Sequence, residues 1–407
     1  MFKKVLAGTI ASCILLPATA VELGIASFNL AWAGTEDDFK EHIRVCKDPK
    51  VNWCDTRAKI PKDATEPTPQ EKERAKSCQA AFDKVAGGPG QALQVAPCNA
   101  YDLSDEILAK NPGKPADLYR QKLEGLKGTI HMLVDKHKVD ILAFQEVKSA
   151  EVIRILLGEH VADFETCAAP HTAFQTIGFA WRKSLGEGVC KPEPSLSIEE
   201  DLENSSSVQK FLRPGIELSL SIGQQKLSLL NVHLKSSCAN LHKDKFGEGK
   251  LLTSEAPACQ VLNRQVAPLE TWIEAVAQRS PLFVVLGDFN RKIDDELAED
   301  KKIPPDQVRT DGVLPNKPNK MDGKGSVKSK YLWQEISDGD PSLVQVPLSG
   351  VATGCRGFVG LDHILLSATL NARQKNKPIS SKIQVQTQSS QVIETSDHCP
   401  RVTRVNL

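Results

Sequence analysis

The sequence predicts an α/β (α+β) four-layer sandwich, two packed mixed β-sheets with helices on their outer faces. Three observations predict it. Short apolar runs with strand character recur along the 407-residue chain, and each runs into a cluster of polar residues. Stretches with helical apolar spacing interleave with them, which suits sheets covered from outside. No internal repeat is visible, so a single large domain is expected.

The chain begins with a positive head, Met1-Phe2-Lys3-Lys4, an apolar stretch from Val5 to Leu16 and the small-residue signal Ala18-Thr19-Ala20. Residues 1–20 therefore read as a secretory signal peptide, with the mature chain starting at Val21 and a secreted or periplasmic destination. Its apolar core is too short to span a membrane as a helix. A second reading of the same stretch takes Ile10-Ala11-Ser12-Cys13 as a lipoprotein box, with Cys13 lipidated. Ten cysteines remain after residue 20, an even number that suits disulfides in an oxidising compartment. No Cys-x-x-Cys pair occurs, which argues against structural zinc. Cys46, Cys54, Cys78 and Cys98 are expected to pair among themselves, Cys167 with Cys190, and Cys238 with Cys259. Each of the last two would close a loop worth roughly 3 kcal/mol in the chain-entropy model.

Ile25 to Asn29 is the first strand of a domain that runs from 21 to 407. Residues 35–115 are charged and rich in proline and glycine, with too little apolar material for a core of their own, and read as a disulfide-stapled insertion. Within it, Pro69 to Val85 reads as a charged helix ended by Gly87-Gly88. Leu118, Lys122, Leu123, Leu126, Ile130, Leu133 and Val134 recur at helical spacing and lead into a strand from Val139 that ends at Gln145-Glu146-Val147. Val152 to Leu157 opens another helix, and Thr176 to Trp181 is a strand ending at Arg182. Ile216 to Ile222 and Leu227 to Val232 make a hairpin about Gly223-Gln224-Gln225. Cys259 to Gln278 is a helix facing the core through Val261, Leu262, Val266, Leu269, Trp272, Ile273 and Val276. Leu282 to Leu286 is apolar throughout, as in a strand buried on both faces, with Gly287 as the turn that ends it. Arg291 to Lys330 reads as a polar surface loop region; Leu332 to Ile336 and Leu361 to Leu366 complete the fold.

The polar ends of these runs carry the chemistry. Asp288 and Asn290, two apart on an extended tip, place an anionic and a neutral oxygen side by side, which suits a phosphate bound beside a hard cation. In chain order the set is Asn29, Gln145-Glu146, Asn231-Val232-His233, Gly287-Asp288-Phe289-Asn290, Asp362 and Ser396-Asp397-His398. This set resembles the endonuclease/exonuclease/phosphatase superfamily, with its deoxyribonuclease I-like fold, over residues 21–407 except the insertion. The stretch from Asn231 to Cys238 is similar to secreted bacterial nucleases of that superfamily.

The resemblance implies metal-dependent hydrolysis of a phosphoric ester by in-line attack of water, with DNA ahead of RNA as substrate. It makes Glu146 the leading metal ligand, joined by Asn29 and Asp397 directly or through water, and the oxygen-rich set favours Mg²⁺ or Mn²⁺. It makes His398 and His233 the acid and base, His398 steadied by Asp362 while taking the proton of the attacking water, with Asp288 and Asn290 completing the catalytic floor. It assigns Arg182, Asn29 and Lys148 to substrate. His171, His242 and His363 are read as structural or surface histidines, and Asp294, Asp295 and Glu296 as a solvated loop or helix start in preference to a calcium site.

Charge narrows the partners. The chain balances 51 basic against 51 acidic residues, and removal of residues 1–20 leaves 49 against 51. A broad basic face for gripping long polyanions is therefore not expected, and attraction for phosphate must be local. Two alternatives stand beside the nuclease: a phosphatase or sphingomyelinase-like phospholipase on the same fold, and a non-catalytic binding module. The lipid reading calls for an exposed apolar hairpin, which the sequence lacks, and no stable membrane association is expected.

Overall fold

A computed structural model describes residues 21–46, 58, 61, 66–82, 115–199, 211–239, 241, 249–301, 330–337, 342–349, 360–383, 385 and 395–407. Residues 1–20, read above as a signal peptide, with Cys13, the expected Gly87-Gly88 stop, His242 and cysteines 54, 98 and 355 lie outside these residues, as do the side chains of Cys46 and Cys78.

In chain order the elements are β1 (Glu22–Ala33), α1 (Glu36–Cys46), α2 (Pro69–Phe82), α3 (Pro115–Asp135), β2 (Ile141–Val147), α4 (Ala150–Leu157), β3 (Phe164–Ala168), β4 (Thr176–Arg182), β5 (Gly188–Glu193), β6 (Gly215–Ile222) and β7 (Gln225–His233). There follow α5 (Pro257–Arg279), β8 (Phe283–Asp288), α6 (Ile293–Asp300), α7 (Leu332–Ser337), β9 (Leu343–Gln345), β10 (Leu348–Ser349), β11 (Asp362–Ser367), α8 (Ala368–Ala372), β12 (Ser380–Lys382) and β13 (Arg401–Asn406). They form a seven-stranded sheet in the order β10-β12-β13-β1-β2-β4-β3 and a six-stranded sheet in the order β5-β6-β7-β8-β11-β9. Both sheets are mixed: β1 pairs with β2 and β7 with β8 in parallel, and most other neighbours are antiparallel. The four-layer expectation is met.

Period-two alternation builds three apolar layers from these strands. In β1, Ala26, Phe28 and Leu30 face outward under α3 and α4, while Leu23 and Ile25 face the other sheet. In β8, Phe283 and Val285 lie under α5, while Val284 and Leu286 face the seven-stranded sheet. The layer between the sheets is apolar along most of its length. At one end the same inward-facing positions turn polar, and that is where the site forms.

Several expectations are corrected here. Gly287 does not end its strand, because β8 runs on to Asp288; glycine is required because φ is 137° and a Cβ would lie 2.1 Å from Val232 O. The stretch after Arg291 is not simply a surface loop. Arg291 and Glu296 are both fully buried, with Arg291 Nε donating to Glu296 Oε1 at 2.5 Å and Glu296 Oε2 accepting from Trp333 N at 2.7 Å. Glu296 is therefore a buried anchor of α6, not a solvated charge. The insertion region also begins with an unforeseen helix, α1, started by a reciprocal capping box: Asp38 N donates to Thr35 Oγ1 at 3.1 Å and Thr35 N to Asp38 Oδ2 at 2.8 Å.

The two expected disulfides form. Cys167–Cys190 joins the edge strands β3 and β5 of opposite sheets, and Cys238–Cys259 ties the segment after β7 to the first turn of α5. Cys399 is also disulfide-bonded. No helix among the described residues is long and apolar enough to cross a membrane.

Candidate functional site

On each central strand, the inward-facing series ends in a polar residue. After Leu23 and Ile25 come Ser27 and Asn29; after Ile141 and Ala143 comes Gln145; after Leu227 and Leu229 come Asn231 and His233; after Val284 and Leu286 comes Asp288. Because β11 runs antiparallel to β8, its first residue, Asp362, lies opposite Asp288, and parallel pairing sets His233 opposite Asp288 on the other side. The segment before β13 supplies His398, and Ser396 Oγ fastens that segment to Asn29 O at 2.8 Å. Residues far apart in the chain thus meet at one end of the intersheet layer.

Asp288 is the hub. Its Oδ2 accepts from Asn29 Nδ2 at 3.0 Å and lies 3.6 Å from His233 Nε2 and 3.9 Å from His398 Nε2. Its Oδ1 accepts from Asn290 N at 2.8 Å, an Asx turn that fixes the carboxylate. Asn290 has φ 50° and donates its side chain to Leu234 O at 3.1 Å; its amide braces the loop instead of facing the cleft. Burial pushes the Asp288 carboxyl up to about 7; His398 pulls against that rise and Asp362 adds to it.

The two histidines diverge. His398 Nδ1 bonds Asp362 Oδ2 at 2.8 Å. Burial alone would lower the proton affinity of His398, yet Asp362, then Asp288 and Asp397, lift it well above the ordinary imidazole value. Burial holds His233 well below that value, with Arg213, His398 and Lys235 adding to the effect. One imidazole is therefore charged and the other neutral at neutral pH. Among the described residues, His233 Nδ1 and Asp362 Oδ1 are buried without a hydrogen-bond partner.

Glu146 enters by a backbone device. Strict alternation after Gln145 would aim it toward the helices, but its left-handed φ of 59° and the register shift between Gln145 and Val147 turn the strand end. Its Oε1 lies 3.3 Å from Asn29 Nδ2 and 3.8 Å from His233 Nε2. Asn29 thus presents its amide N–H₂ to both Glu146 and Asp288, while its Oδ1 accepts from Ala31 N at 2.9 Å. In this arrangement Asn29 is a clamp for two carboxylates and not an oxygen ligand. Beneath it, Gln145 Nε2 donates to Asn231 Oδ1 at 2.7 Å, joining the two sheets.

Arg182 is not part of this site. In β4 it lies beyond Trp181, which pairs with Ile141 at the start of β2, whereas Gln145 pairs with Ile177. About five residues of extended strand, on the order of 16 Å, separate it from the Glu146 end. There it bonds Asp140 Oδ1 at 3.2 Å and lies 5.0 Å above the Phe164 ring. The guanidinium next to the site is Arg213, which sequence reading missed because it precedes Pro214 in a stretch without strand character. It donates to His233 O at 3.2 Å and Leu234 O at 2.8 Å. His171 feels both nearby cations: burial, then Arg213, with Lys148 adding, bring it down to about 4, so the charge beside the site belongs to Arg213 and Lys148 and not to His171. Lys148 itself is lowered by burial, and its Nζ donates to Ala173 O at 3.3 Å. Asp397 is half-buried and acts on His398 through its charge. His363, fully buried, bonds Arg291 O at 2.9 Å and Gly360 O at 2.7 Å, in the structural role expected.

No family model matches this sequence, and no curated protein does. Solved structures similar to it include an endonuclease/exonuclease/phosphatase family protein from Bacteroides thetaiotaomicron (10% identity, 95% of this chain and 98% of that one, TM-score 0.40). They also include ANGEL2, a 2′,3′-cyclic phosphatase (12% identity, 96% of each chain, TM-score 0.43). A third is D. rerio TDP2 complexed with a single-strand DNA product (13% identity, 70% of this chain and 93% of that one, TM-score 0.39). At these scores the likeness carries no argument about activity, which rests on the site itself.

Proposed function

We propose that the protein is a phosphoesterase of the endonuclease/exonuclease/phosphatase type, a secreted nuclease that hydrolyses phosphodiesters in DNA ahead of RNA. The observation that carries this reading is the arrangement about Asp288: a buried carboxylate flanked by two imidazoles, one of them backed by Asp362 at 2.8 Å. Phosphodiester hydrolysis needs a proton acceptor for water and fixed positive charge for the phosphate oxygens. Asp288, held by Asn29 and the Asn290 N–H with its proton affinity near neutral, would accept the proton. His398, its proton affinity raised by Asp362, would hold a phosphate oxygen. This reverses the sequence-based expectation, in which His398 took the proton of the attacking water. His233, neutral and buried, completes the opposite wall, and Lys148 and Arg213 supply the local positive charge that a nearly neutral chain needs.

The donor set fits a hard divalent cation. Glu146 is partly exposed at the cleft, Asp288 is near it through Asn29, and both offer carboxylate oxygen. Glu146 would hold Mg²⁺ or Mn²⁺, with Asp397 contributing at longer range. When bound, such an ion neutralises charge on the phosphate. The test is incubation of purified protein with plasmid DNA, RNA, a simple phosphodiester and sphingomyelin, each with Mg²⁺ and with chelator. Metal-dependent cleavage of the nucleic acids and the diester is expected. Hydrolysis of sphingomyelin alone would favour the phospholipase, and cleavage of nothing would favour a binding module.

A further inference from the structure

A second constellation of ligand-type side chains lies at the far end of the seven-stranded sheet. His131 and Asp135 stand four apart on α3, hence on one helical face, and Glu159 and His160 follow α4 in a 3₁₀ turn, Gly158–Ala162. Gly158 makes the approach possible: its φ is 55°, and a Cβ there would lie 2.9 Å from His131 Nε2. One ligand-type atom from each of His131, Glu159 and His160 falls within 4.8 Å of the others, and the two rings sit edge to face at 4.7 Å. The rings are also oriented from behind. His131 Nε2 bonds Leu157 O at 2.9 Å, which leaves Nδ1 facing Glu159 Oε1 at 3.8 Å. His160 Nε2 lies 3.3 Å from Asp135 Oδ2. A backbone carbonyl behind one imidazole and a carboxylate beside the other are the outer partners that fix ring orientation in metal sites.

We propose that His131, Glu159 and His160, with Asp135 at the rim, form a cation site for a borderline divalent ion of the Zn²⁺ class. Two imidazoles with carboxylate oxygen select Zn²⁺, Co²⁺ or Ni²⁺ over Mg²⁺ and Ca²⁺, which prefer oxygen alone. The ion would clip α3 to the turn after α4. The site is separate from the catalytic cleft: β3 begins just beyond the turn, at Phe164, which pairs with Arg182 at the end of the sheet remote from Glu146. Its role is therefore structural.

The test is calorimetric titration of the intact, disulfide-bonded protein with Zn²⁺ in excess Mg²⁺, with Co²⁺ visible absorption as a second readout of tetrahedral ligands. One Zn²⁺ equivalent is expected to persist in Mg²⁺, to be retained by Asp288→Asn, and to weaken at least tenfold in Glu159→Ala and His160→Asn. Glu159 has a side chain 77% exposed, so its replacement leaves the fold intact. Absence of a Zn²⁺ equivalent in wild type, equal binding by wild type and Glu159→Ala, or loss of the equivalent in Asp288→Asn would each overturn the proposal.

Discussion

Single atoms decide the chemistry, and two expectations follow at that scale. If Glu146 holds the cation and His398 holds phosphate, their losses differ in kind. Glu146→Ala should lose activity that raised Mg²⁺ partly restores, whereas His398→Ala should lose about 10² to 10⁴ in rate with no rescue by metal. Steady-state kinetics across a metal series checks both, and full activity in His398→Ala would overturn the assignment. The second concerns His363, whose proton affinity burial lowers to about 4, with Arg401 adding to the effect. Between that value and the unfolded value near 6.5 the unfolded chain binds more protons, so stability is lost as pH falls through this window and is flat above it. The loss is on the order of 3 kcal/mol at most. A His363→Gln variant should therefore differ from wild type in melting temperature by different amounts at pH 7 and pH 4.5; an equal difference at both would refute it. Much of the residue chemistry was legible, since His233, Asp288, Asp362 and His398 all converge. What was hidden is direction: alternation misplaces Glu146 until its left-handed φ is known, and nothing local tells Arg182 from Arg213.

Elements are legible in the sequence where periodicity is long and obscure where it is interrupted. The helix at α5 buries the whole apolar face the spacing named, including Val261, Leu269, Trp272 and Val276. The buried Arg291–Glu296 pair escaped notice because charged residues in a polar stretch read as solvated. The pair holds the turn between β8 and α6, and Glu296 also caps α7 through Trp333 N. Removing one partner leaves the other charge buried alone. Glu296→Ala should therefore lose about 3 to 5 kcal/mol in denaturant unfolding, far more than Asp295→Ala on the same helix. Equal losses would show that burial of the pair contributes nothing particular.

At the scale of the whole molecule, the site belongs to neither sheet. Asn29, Glu146 and His398 come with the seven-stranded sheet, and His233, Asp288 and Asp362 with the six-stranded one. The sandwich was legible in sequence because alternating runs announce sheets; the pairing order was not, since β13 crosses the whole chain to lie beside β1. The Cys167–Cys190 bond stitches the two sheets at one edge. Replacing both cysteines with serine should lower stability by roughly 3 kcal/mol in the chain-entropy model, read by thermal melting. An unchanged melting temperature would show that the edge is held by packing alone. The shared cleft has a further consequence. A slip of one sheet past the other by a single residue, about 3.3 Å, exceeds the 3.0 Å that joins Asn29 to Asp288. On the proposed function, activity is a vernier on the alignment of two plates: turnover should fade at denaturant concentrations where circular dichroism still reports intact sheets.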